Sequence, residues 1–149
     1  MDTFTTEFLL EAQKRLKTHY ADIQIPPPVF TLMDGEIIAF DAEKMSMSIK
    51  FPVKEAFQNP YGSMQGGMIV TAMDNIIGPI ALMHEDLNVT KKLEVDYVKM
   101  ITKDQEFIIV DACFVSREGK NIYYEAKAHD GAGRVFTTAK AHHRVVRFS

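Results

Sequence analysis

The first twenty residues carry apolar side chains at the spacing of three and four that forms one face of a helix. Charged residues such as Glu11 and Lys14 separate them, and Thr5 and Thr6 are candidate caps at the start. A run of prolines at 26–28 ends the pattern, because proline donates no backbone hydrogen bond and disfavours a helical predecessor. The sequence therefore predicts an amphipathic N-terminal helix. Its apolar positions are Phe8, Leu9, Ala12, Leu16 and Tyr20.

Two short strands are predicted next, Phe30 to Phe40 and Lys44 to Phe51, with a turn signal at Asp34-Gly35 inside the first. A polar, turn-rich link at 58–63 follows them. Beyond the link, the pattern changes to a long apolar helix that Gly66-Gly67 opens. An apolar helix cannot stay on the surface, so we expect a sheet to curl around it.

Everything beyond the apolar helix has the pattern of β-strands. Residues 92–97 alternate between apolar and polar side chains, which predicts one buried face and one solvated face. The stretch from Phe107 to Val115 is apolar on both faces, as expected of a central or interface strand. Apolar and polar side chains alternate cleanly over residues 122–129 and less cleanly over residues 135–146, and a turn signal precedes each stretch. The last three strands should therefore form an antiparallel meander.

These elements predict an α+β fold, in which an antiparallel β-sheet wraps around a central apolar α-helix and an extra helix stands at the N-terminus. The chain has 149 residues, of which 46% are hydrophobic, and this suits a single domain with one core. Within that domain, residues 1–28 form the N-terminal helix and Pro-rich connection, and residues 29–149 form the core.

Charge and cysteine content exclude several classes of function. A formal net charge of -3 lacks the basic excess that a phosphate backbone requires, so nucleic acid is not an expected partner. Cys113 is the single cysteine and can form neither an intramolecular disulfide nor a zinc-binding pair. The first residues do not resemble a signal peptide, and the stretch from Met68 to Met83 is too interrupted to cross a membrane. We expect a cytoplasmic protein that binds neither a metal nor a membrane.

The histidines give weaker signals. His142 and His143 are adjacent in a predicted strand and point to opposite faces, so they cannot bind one metal ion together. His84, Glu85 and Asp86 follow the apolar helix and are expected to form a polar C-terminal turn, where a histidine favours the helix dipole.

The segment from Asn59 to Asn75 resembles the signature of hotdog-fold acyl-CoA thioesterases of the phenylacetic-acid-pathway type, within the 4-hydroxybenzoyl-CoA thioesterase superfamily. That signature has an asparagine, a loop, His-Gly-Gly, and an aspartate nine residues after the histidine. All the spacings match here, and the element order agrees from about Phe30 to the end. Gln65 is a departure, because it stands where the family usually has histidine. The resemblance implies a hotdog fold and hydrolysis of a small-to-medium acyl or aryl thioester, with coenzyme A as part of the substrate and no other cofactor.

The resemblance makes Asp74 the leading candidate for catalytic base or nucleophile. Gly66 and Gly67 open the helix, where unpaired backbone N–H groups and the positive end of the helix dipole can polarise a thioester carbonyl. Simpler roles remain open for each. The glycines can serve only to let the loop enter a crowded helix, and Asp74 can be a partly exposed helix residue or a buried acid bonded to a loop.

Several further residues match the family pattern. Asn59 matches an asparagine near the thioester or its attacking water, with a role as a turn residue before Pro60 as the alternative. Thr90 aligns with a Ser/Thr that hydrogen-bonds near the aspartate, although threonine also favours strands. Gln65 can donate a hydrogen bond like histidine but cannot titrate.

Basic side chains at the predicted hairpins are the clue to coenzyme A. Their charges suit the nucleotide phosphates, or they are simply solvated hairpin charges. These residues are Arg117, Lys120 and Arg134.

Helix geometry bears on assembly. Gly66 and Asp74 are about 12 Å apart along one helix, whereas both must act within a few ångströms of one carbonyl. If two copies of the helix run antiparallel across a two-fold axis, the Gly66 end of one meets the Asp74 region of the other. We therefore expect a homo-oligomer, a homodimer or a homotetramer, with active sites shared between subunits. The competing interpretation, which Gln65 motivates, is a non-catalytic hotdog protein that binds acyl thioesters or lipids.

Overall fold

A computed structural model describes residues 2–16 and 23–147. These residues contain three α-helices and six strands, together with a short 3-10 turn at Glu55–Phe57. In chain order the elements are α1 (Thr3–Leu16), α2 (Pro28–Met33), β1 (Glu36–Asp41), β2 (Ser46–Pro52), α3 (Gly66–Ala81), β3 (Asn88–Tyr97), β4 (Phe107–Glu118), β5 (Asn121–His129) and β6 (Val135–Val145).

The strands form one antiparallel sheet with the order β1-β2-β4-β5-β6-β3. The predicted meander is confirmed, because β4, β5 and β6 are neighbours in sequence and in space. β4 lies between β2 and β5, so it is a central strand as expected, with Ile108, Val110 and Ala112 buried and the residues between them half-buried. The two edges of the sheet are β1 and β3.

The sheet wraps around α3, as the sequence predicts. One side of the helix packs on β4, β5 and β2, and its side chains at Met73, Ile76, Ile77 and Ile80 are fully buried. Alternate residues of the strands complete this core, which includes Ile49, Phe51, Ile108, Val110, Ile122 and Phe136. This is the hotdog arrangement. None of the described helices is long and apolar enough to cross a membrane.

Helix α1 covers the β1 edge. Its own residues Phe8, Ala12 and Leu16 form the buried face of the helix. The Phe8 ring meets the Phe40 ring edge-on, with 5.7 Å between the ring centroids. Arg15 fastens the helix to the core by donating to the Met83 carbonyl at 3.0 Å. With β1 covered, the exposed sheet edge is β3.

The N-terminal helix is confirmed as far as Leu16, and Tyr20 lies outside the described residues. Its cap differs from the prediction of Thr5 and Thr6. The carboxylate of Asp2 accepts hydrogen bonds from the Thr5 backbone N–H at 2.8 Å and from the Thr5 hydroxyl at 2.7 Å. An ionised acceptor in front of the first turn is a stronger cap than a hydroxyl inside it, because it also meets the positive end of the helix dipole.

The first predicted strand, Phe30 to Phe40, is wrong in its first part, which forms helix α2 instead. Pro28 has the φ angle that the first helical position requires, and Asp34 ends the helix in the left-handed region at φ 53°. At Gly35 an added Cβ would lie within 2.8 Å of the rings of Phe30 and Phe51, so this turn needs glycine. The turn signal at Asp34-Gly35 therefore ends a helix and does not lie inside a strand.

Candidate active site

The side chains of Asp74, Thr90 and His143 meet at the exposed side of α3. The Thr90 hydroxyl lies 3.4 Å from Asp74 Oδ1 and 3.1 Å from His143 Nε2. Thr90 and His143 are cross-strand neighbours in β3 and β6, so the sheet register sets their contact. Asp74 comes from the helix, and the three groups therefore join three separate elements.

Asn88 fixes the orientation of this group. Its Nδ2 donates to the backbone carbonyls of Ala81 and Asp86, at 3.0 and 3.1 Å, so its Oδ1 must be the acceptor on the other side. That oxygen accepts from the Tyr124 hydroxyl at 3.0 Å and contacts His143 Nδ1 at 2.9 Å. An amide oxygen only accepts, and His143 must therefore carry a proton on Nδ1.

The protonation of His143 determines what Thr90 does. Burial, and to a lesser extent the neighbouring His142, lowers the pKa of His143 to about 4, so the ring is neutral near pH 7. With the proton on Nδ1, Nε2 is an acceptor, and so is the Asp74 carboxylate on the other side of the Thr90 hydroxyl. A hydroxyl has one proton, so Thr90 donates to only one of the two at a time, and the shorter contact is to His143.

His143 is a member of this group that the sequence did not single out as a candidate. From the sequence, the histidine pair was weighed only as metal ligands. The signal was present, because alternation along β6 places His143 on the same face as Ala139 and Ala141, which are buried. A histidine on a buried face needs hydrogen-bond partners. The expectation that His142 and His143 point to opposite faces is confirmed, since His142 stacks on Tyr123 at 4.9 Å.

Asp74 itself is exposed in the single chain, although its neighbours Met73 and Asn75 are buried. The cost of burying a carboxylate in an apolar helix therefore does not arise within one protomer. What singles out Asp74 is its position beside Thr90 and at the rim of a cavity.

That cavity has a volume of about 450 Å³ and lies between α3, α1 and the Pro-rich segment. Asp74, Thr90 and His143 line one side of it. The rest of the lining is mainly apolar, with Phe8, Leu9, Ile25, Phe30, Ile37, Pro79 and Leu82 among its residues. The volume is in the usual range for small-molecule sites. An apolar group placed here would reach the carboxylate of Asp74 with one end.

The start of α3 is the second part of the predicted site. Gln65 occupies the position before the first turn, is exposed, and makes no capping hydrogen bond through its side chain. Gly67 is also exposed, with open space where a Cβ would stand. The first N–H groups of a helix have no acceptor within the helix, and here they face an open surface.

One chain holds these two parts apart. Tyr97 at the end of β3 donates to the Gly66 carbonyl at 3.0 Å, while Thr90 near the start of β3 contacts Asp74. Strand β3 thus runs antiparallel to α3 and contacts both ends of the predicted site. The separation of Gly66 and Asp74 along the helix is therefore preserved in the fold.

Asn59 makes the hydrogen bonds of a turn residue. Its Oδ1 accepts from the backbone N–H groups of Tyr61 and Ser63, at 3.0 and 3.2 Å, and its Nδ2 donates to the Ser63 hydroxyl at 2.9 Å. The side chain thereby holds the loop that leads into α3.

The predicted coenzyme A contacts lie at the two ends of β5. Arg117 and Lys120 flank the turn before this strand, whereas Arg134 follows the turn after it, about 30 Å away at the rise of an extended strand. Within a single chain, Arg134 therefore cannot contact the same phosphate group as Arg117 or Lys120. Arg117 also forms an ion pair with Asp86, whose carboxylate lies 2.6 Å from its Nη2.

The predicted polar turn after α3 holds for Glu85 and Asp86, which are exposed, and is wrong for His84. It is 9% exposed and lies between the rings of Phe114 and Tyr124, at 5.2 and 5.9 Å. Burial and the nearby positive charges of Arg117 and Arg15 lower its pKa to about 4. The residue belongs to the core and carries no charge near pH 7, so it does not interact with the helix dipole as a cation.

A larger groove, of about 980 Å³, crosses the strands on the polar face of the sheet. Its polar lining includes Ser48, Asp111, Glu125 and Lys127, and Asp111 accepts a hydrogen bond from Ser48 at 2.6 Å. None of the residues predicted to form the active site lines it. No group of metal ligands was found within residues 2–16 and 23–147.

Comparisons with known proteins bear on the fold. No protein-family model matches the chain, and no curated protein matches it. Among solved structures, a thioesterase family protein from Silicibacter pomeroyi superposes with a TM-score of 0.74 at 17% identity, covering 95% of this chain and 99% of that one. The Escherichia coli PaaI protein from the phenylacetic acid degradation operon superposes with a TM-score of 0.75 at 10% identity, covering 94% and 96%.

A third structure contains a ligand. It is a Streptococcus mutans protein bound to acetyl-CoA, with a TM-score of 0.70 at 18% identity, covering 87% of this chain and 97% of that one. These similarities extend over almost the whole length of each chain, and they show the fold. The chain has the fold of the hotdog thioesterases.

Proposed function

We propose that this protein is an acyl-CoA thioesterase that hydrolyses a small-to-medium acyl or aryl thioester of coenzyme A. The observation that carries the proposal is the position of Asp74 and Thr90 at the rim of an apolar cavity. An engineered apolar cavity of about 150 Å³ holds one benzene, so about 450 Å³ accommodates an aryl group or a medium acyl chain. The nucleotide of coenzyme A would remain outside.

The hydroxyl of Thr90 supports attack by water. When its proton is donated to His143, its lone pairs can accept a hydrogen bond from a water molecule beside Asp74. Asp74 is then placed to take the second proton of that water as it attacks the thioester carbonyl. The tetrahedral intermediate collapses to a carboxylic acid and the thiol of coenzyme A, which receives the proton.

The oxyanion of that intermediate needs hydrogen-bond donors. The N–H groups at the start of α3 are candidates, but within one chain they lie far from Asp74. The β3 edge offers a route to them, because its backbone groups are free to pair with a second copy. Two copies paired antiparallel through β3 would place Gly66 and Gly67 of each beside Asp74 of the other. Exposed apolar side chains along this edge, at Val89, Tyr97, Val98 and Met100, are suited to such an interface.

The same pairing places basic residues of both copies at one end of the joined sheet. Lys120 lies at the end of the sheet that holds Asn88 and Thr90, because its carbonyl accepts from Val145, the partner of Asn88 in β6. Arg134 precedes β6 and lies at the opposite end. In the antiparallel dimer, Arg134 of one copy would therefore lie at the same end as Lys120 of the other, about four strand spacings or roughly 20 Å away, where the two charges would be available to different phosphates.

The biological setting follows from the substrate. Acyl-CoA thioesters are cytoplasmic metabolites, and a single free cysteine is usual in a reducing compartment. The free cysteine and the proposed substrate both support a cytoplasmic protein, and we propose that location.

The second candidate is a non-catalytic protein that binds acyl thioesters or lipids. Its support is Gln65, whose side chain is exposed, makes no capping bond and cannot supply the acid function of a histidine. The cavity would serve this function equally well.

Release of free thiol from a panel of acyl-CoAs and aryl-CoAs separates the two. Hydrolysis that requires Asp74 supports the thioesterase, with turnover expected to be fastest for substrates whose acyl part fits the cavity. Saturable binding without turnover across the panel would favour the binding protein instead.

A further inference from the structure

Asn88 stands at the start of β3 and uses all the hydrogen-bonding positions of its side-chain amide. Its nitrogen donates to the backbone carbonyls of Ala81 and Asp86, at 3.0 and 3.1 Å. Its oxygen accepts from the Tyr124 hydroxyl at 3.0 Å and from His143 Nδ1 at 2.9 Å. The pairing of β3 with β6 uses the backbone and does not require these contacts. The amide therefore adds a link between the end of α3 and buried side chains of β5 and β6.

The protons along this chain of contacts have one consistent arrangement. Burial raises the pKa of Tyr124, so its hydroxyl keeps its proton and donates to Asn88. His143 is neutral near pH 7, because burial lowers its pKa to about 4. A proton on Nε2 of the neutral ring would leave the lone pair of Nδ1 facing the lone pairs of the amide oxygen. Asn88 thus selects the Nδ1–H form of the ring, and Nε2 faces Thr90 as an acceptor.

The form of the ring matters because Thr90 lies between His143 and the carboxylate of Asp74. When Thr90 donates to His143, the carboxylate keeps its lone pairs for water, and the hydroxyl oxygen can accept from the same water. A ring protonated on Nε2 would donate to Thr90 instead and turn the hydroxyl proton toward Asp74. The attacking water would then share the carboxylate with that proton.

We propose that Asn88 is a positioning residue of the thioesterase, which keeps the His143 ring in the Nδ1–H form and thereby leaves Asp74 free to take a proton from water. The proposal rests on the thioesterase assignment and adds a residue to the machinery of that site. Asn88 lines the same cavity, but its amide has no position left for a ligand. Its effect on hydrolysis therefore passes through His143 and Thr90.

The Asn88→Asp variant keeps the shape of the side chain and should reverse the state of the ring. A carboxylate beside Nδ1 favours the positively charged ring and raises the pKa of His143. Once the ring is protonated, Nε2 becomes a donor to Thr90. We expect kcat of the variant, divided by that of the wild type, to fall about tenfold or more as the pH is lowered from 8 to 5, and to recover when the pH is raised again.

That pH dependence separates positioning from a structural defect. Damage to the fold would lower kcat by the same factor at every pH. The titratable groups around His143 among the described residues are Tyr124 on β5, His142 on β6, His84 after α3 and Asp74 on α3, and the substitution changes none of them. A ratio of kcat values that stays constant with pH, or that stays at one, would overturn the proposal.

Asn121→Asp is the matched control. Asn121 contacts Nε2 of His142 at 2.8 Å and lies outside the cavity, so the substitution adds the same charge beside the neighbouring histidine. This variant should keep the wild-type dependence of kcat on pH. If both variants lose activity at low pH alike, the effect comes from any added carboxylate and the role of Asn88 is excluded.

NMR of the ring nitrogens in isotope-labelled wild-type protein tests the proposal without turnover, and it decides the matter if Asn88→Asp does not fold. The resonances of His143 are identified by their loss in His143→Gln. Near pH 7 we expect a protonated Nδ1 and an unprotonated Nε2. The opposite form, or a charged ring, would overturn the role of Asn88 and leave the thioesterase standing. The expected form in a protein that hydrolyses no thioester would exclude the enzyme, and the catalytic role of Asn88 with it.

Discussion

The Thr90 hydroxyl lies between two acceptors, with 3.1 Å from Oγ1 to Nε2 of the neutral His143 ring and 3.4 Å to Oδ1 of Asp74. Because Asn88 holds the other ring nitrogen as a donor, Nε2 can only accept. One hydroxyl proton cannot serve both acceptors at once. A side chain buried in β6 thereby competes with Asp74 for the proton of a hydroxyl at the rim of the cavity.

Replacing Asp74 with asparagine should reduce turnover by at least about a hundredfold, in the range typical of a lost catalytic base. Since Asp74 is exposed in the chain, the unfolding free energy should change little. Steady-state thiol release and a thermal melt on the same sample check both statements. A folded variant with near-normal turnover would exclude Asp74 from catalysis.

Thr90 can be tested by a pair of substitutions. Thr90→Val keeps the shape and removes the hydroxyl, and we expect kcat to fall tenfold to a hundredfold, as is typical when an orienting group is lost. Thr90→Ser restores the hydroxyl and should recover most of that loss. If valine and serine variants behave alike, the hydroxyl has no part in the reaction.

Gln65→His restores the residue usual in the family at an exposed position that makes no capping bond. This variant should fold and remain active. Since glutamine does not titrate, the wild-type pH–rate profile should contain no limb that depends on this position. A folded but inactive Gln65→His protein would shift the assignment toward the binding protein.

Two defective variants should complement each other if sites are shared. Gly67→Phe places a ring in the open space in front of the α3 N-terminus, and Asp74→Asn removes the base, so each homodimer should be nearly inactive. A mixed dimer carries one site with both lesions and one intact site. Co-refolding at equal amounts should restore up to about a quarter of the wild-type activity, because about half of the dimers are mixed. Mixed dimers without activity would contradict the shared site.

Buried histidines make stability depend on pH. The pKa values of His84 and His143 are about 4 in the folded protein, lowered by burial from 6.5. Between pH 6.5 and 4 the unfolded chain therefore binds more protons than the folded one, and the unfolding free energy falls as the pH falls. Each histidine contributes at most about 3 kcal/mol to that loss.

Urea denaturation at pH 7, 5.5 and 4.5 measures this dependence. His84→Phe should remove about half of it, since His84 lies between aromatic rings and makes no hydrogen bond through Nε2 to the described residues. An unfolding free energy that stays constant from pH 7 to 4.5 would mean that these histidines are charged in the folded state.

The sequence by itself determined the order and kind of most elements. The continuous apolar stretch over 107–115, the alternation over 122–129 and the apolar run after Gly66 are local patterns, and they can be seen without knowledge of the fold. Asp74 and Thr90 were found as candidates because they match a family signature, not because their contact could be seen. The prediction of a strand is wrong at 30–33, where Pro28 starts a helix among residues that otherwise favour strands.

The tertiary structure decided what depends on distance between elements. The register between β3 and β6 places His143 against Thr90, and no local pattern contains that register. Burial of His84, where the sequence predicted a polar turn, and exposure of Asp74, which the sequence left open, depend on which side of α3 the sheet covers. Burial and hydrogen-bond partners come from packing between segments that are far apart in the chain, and no local pattern contains them.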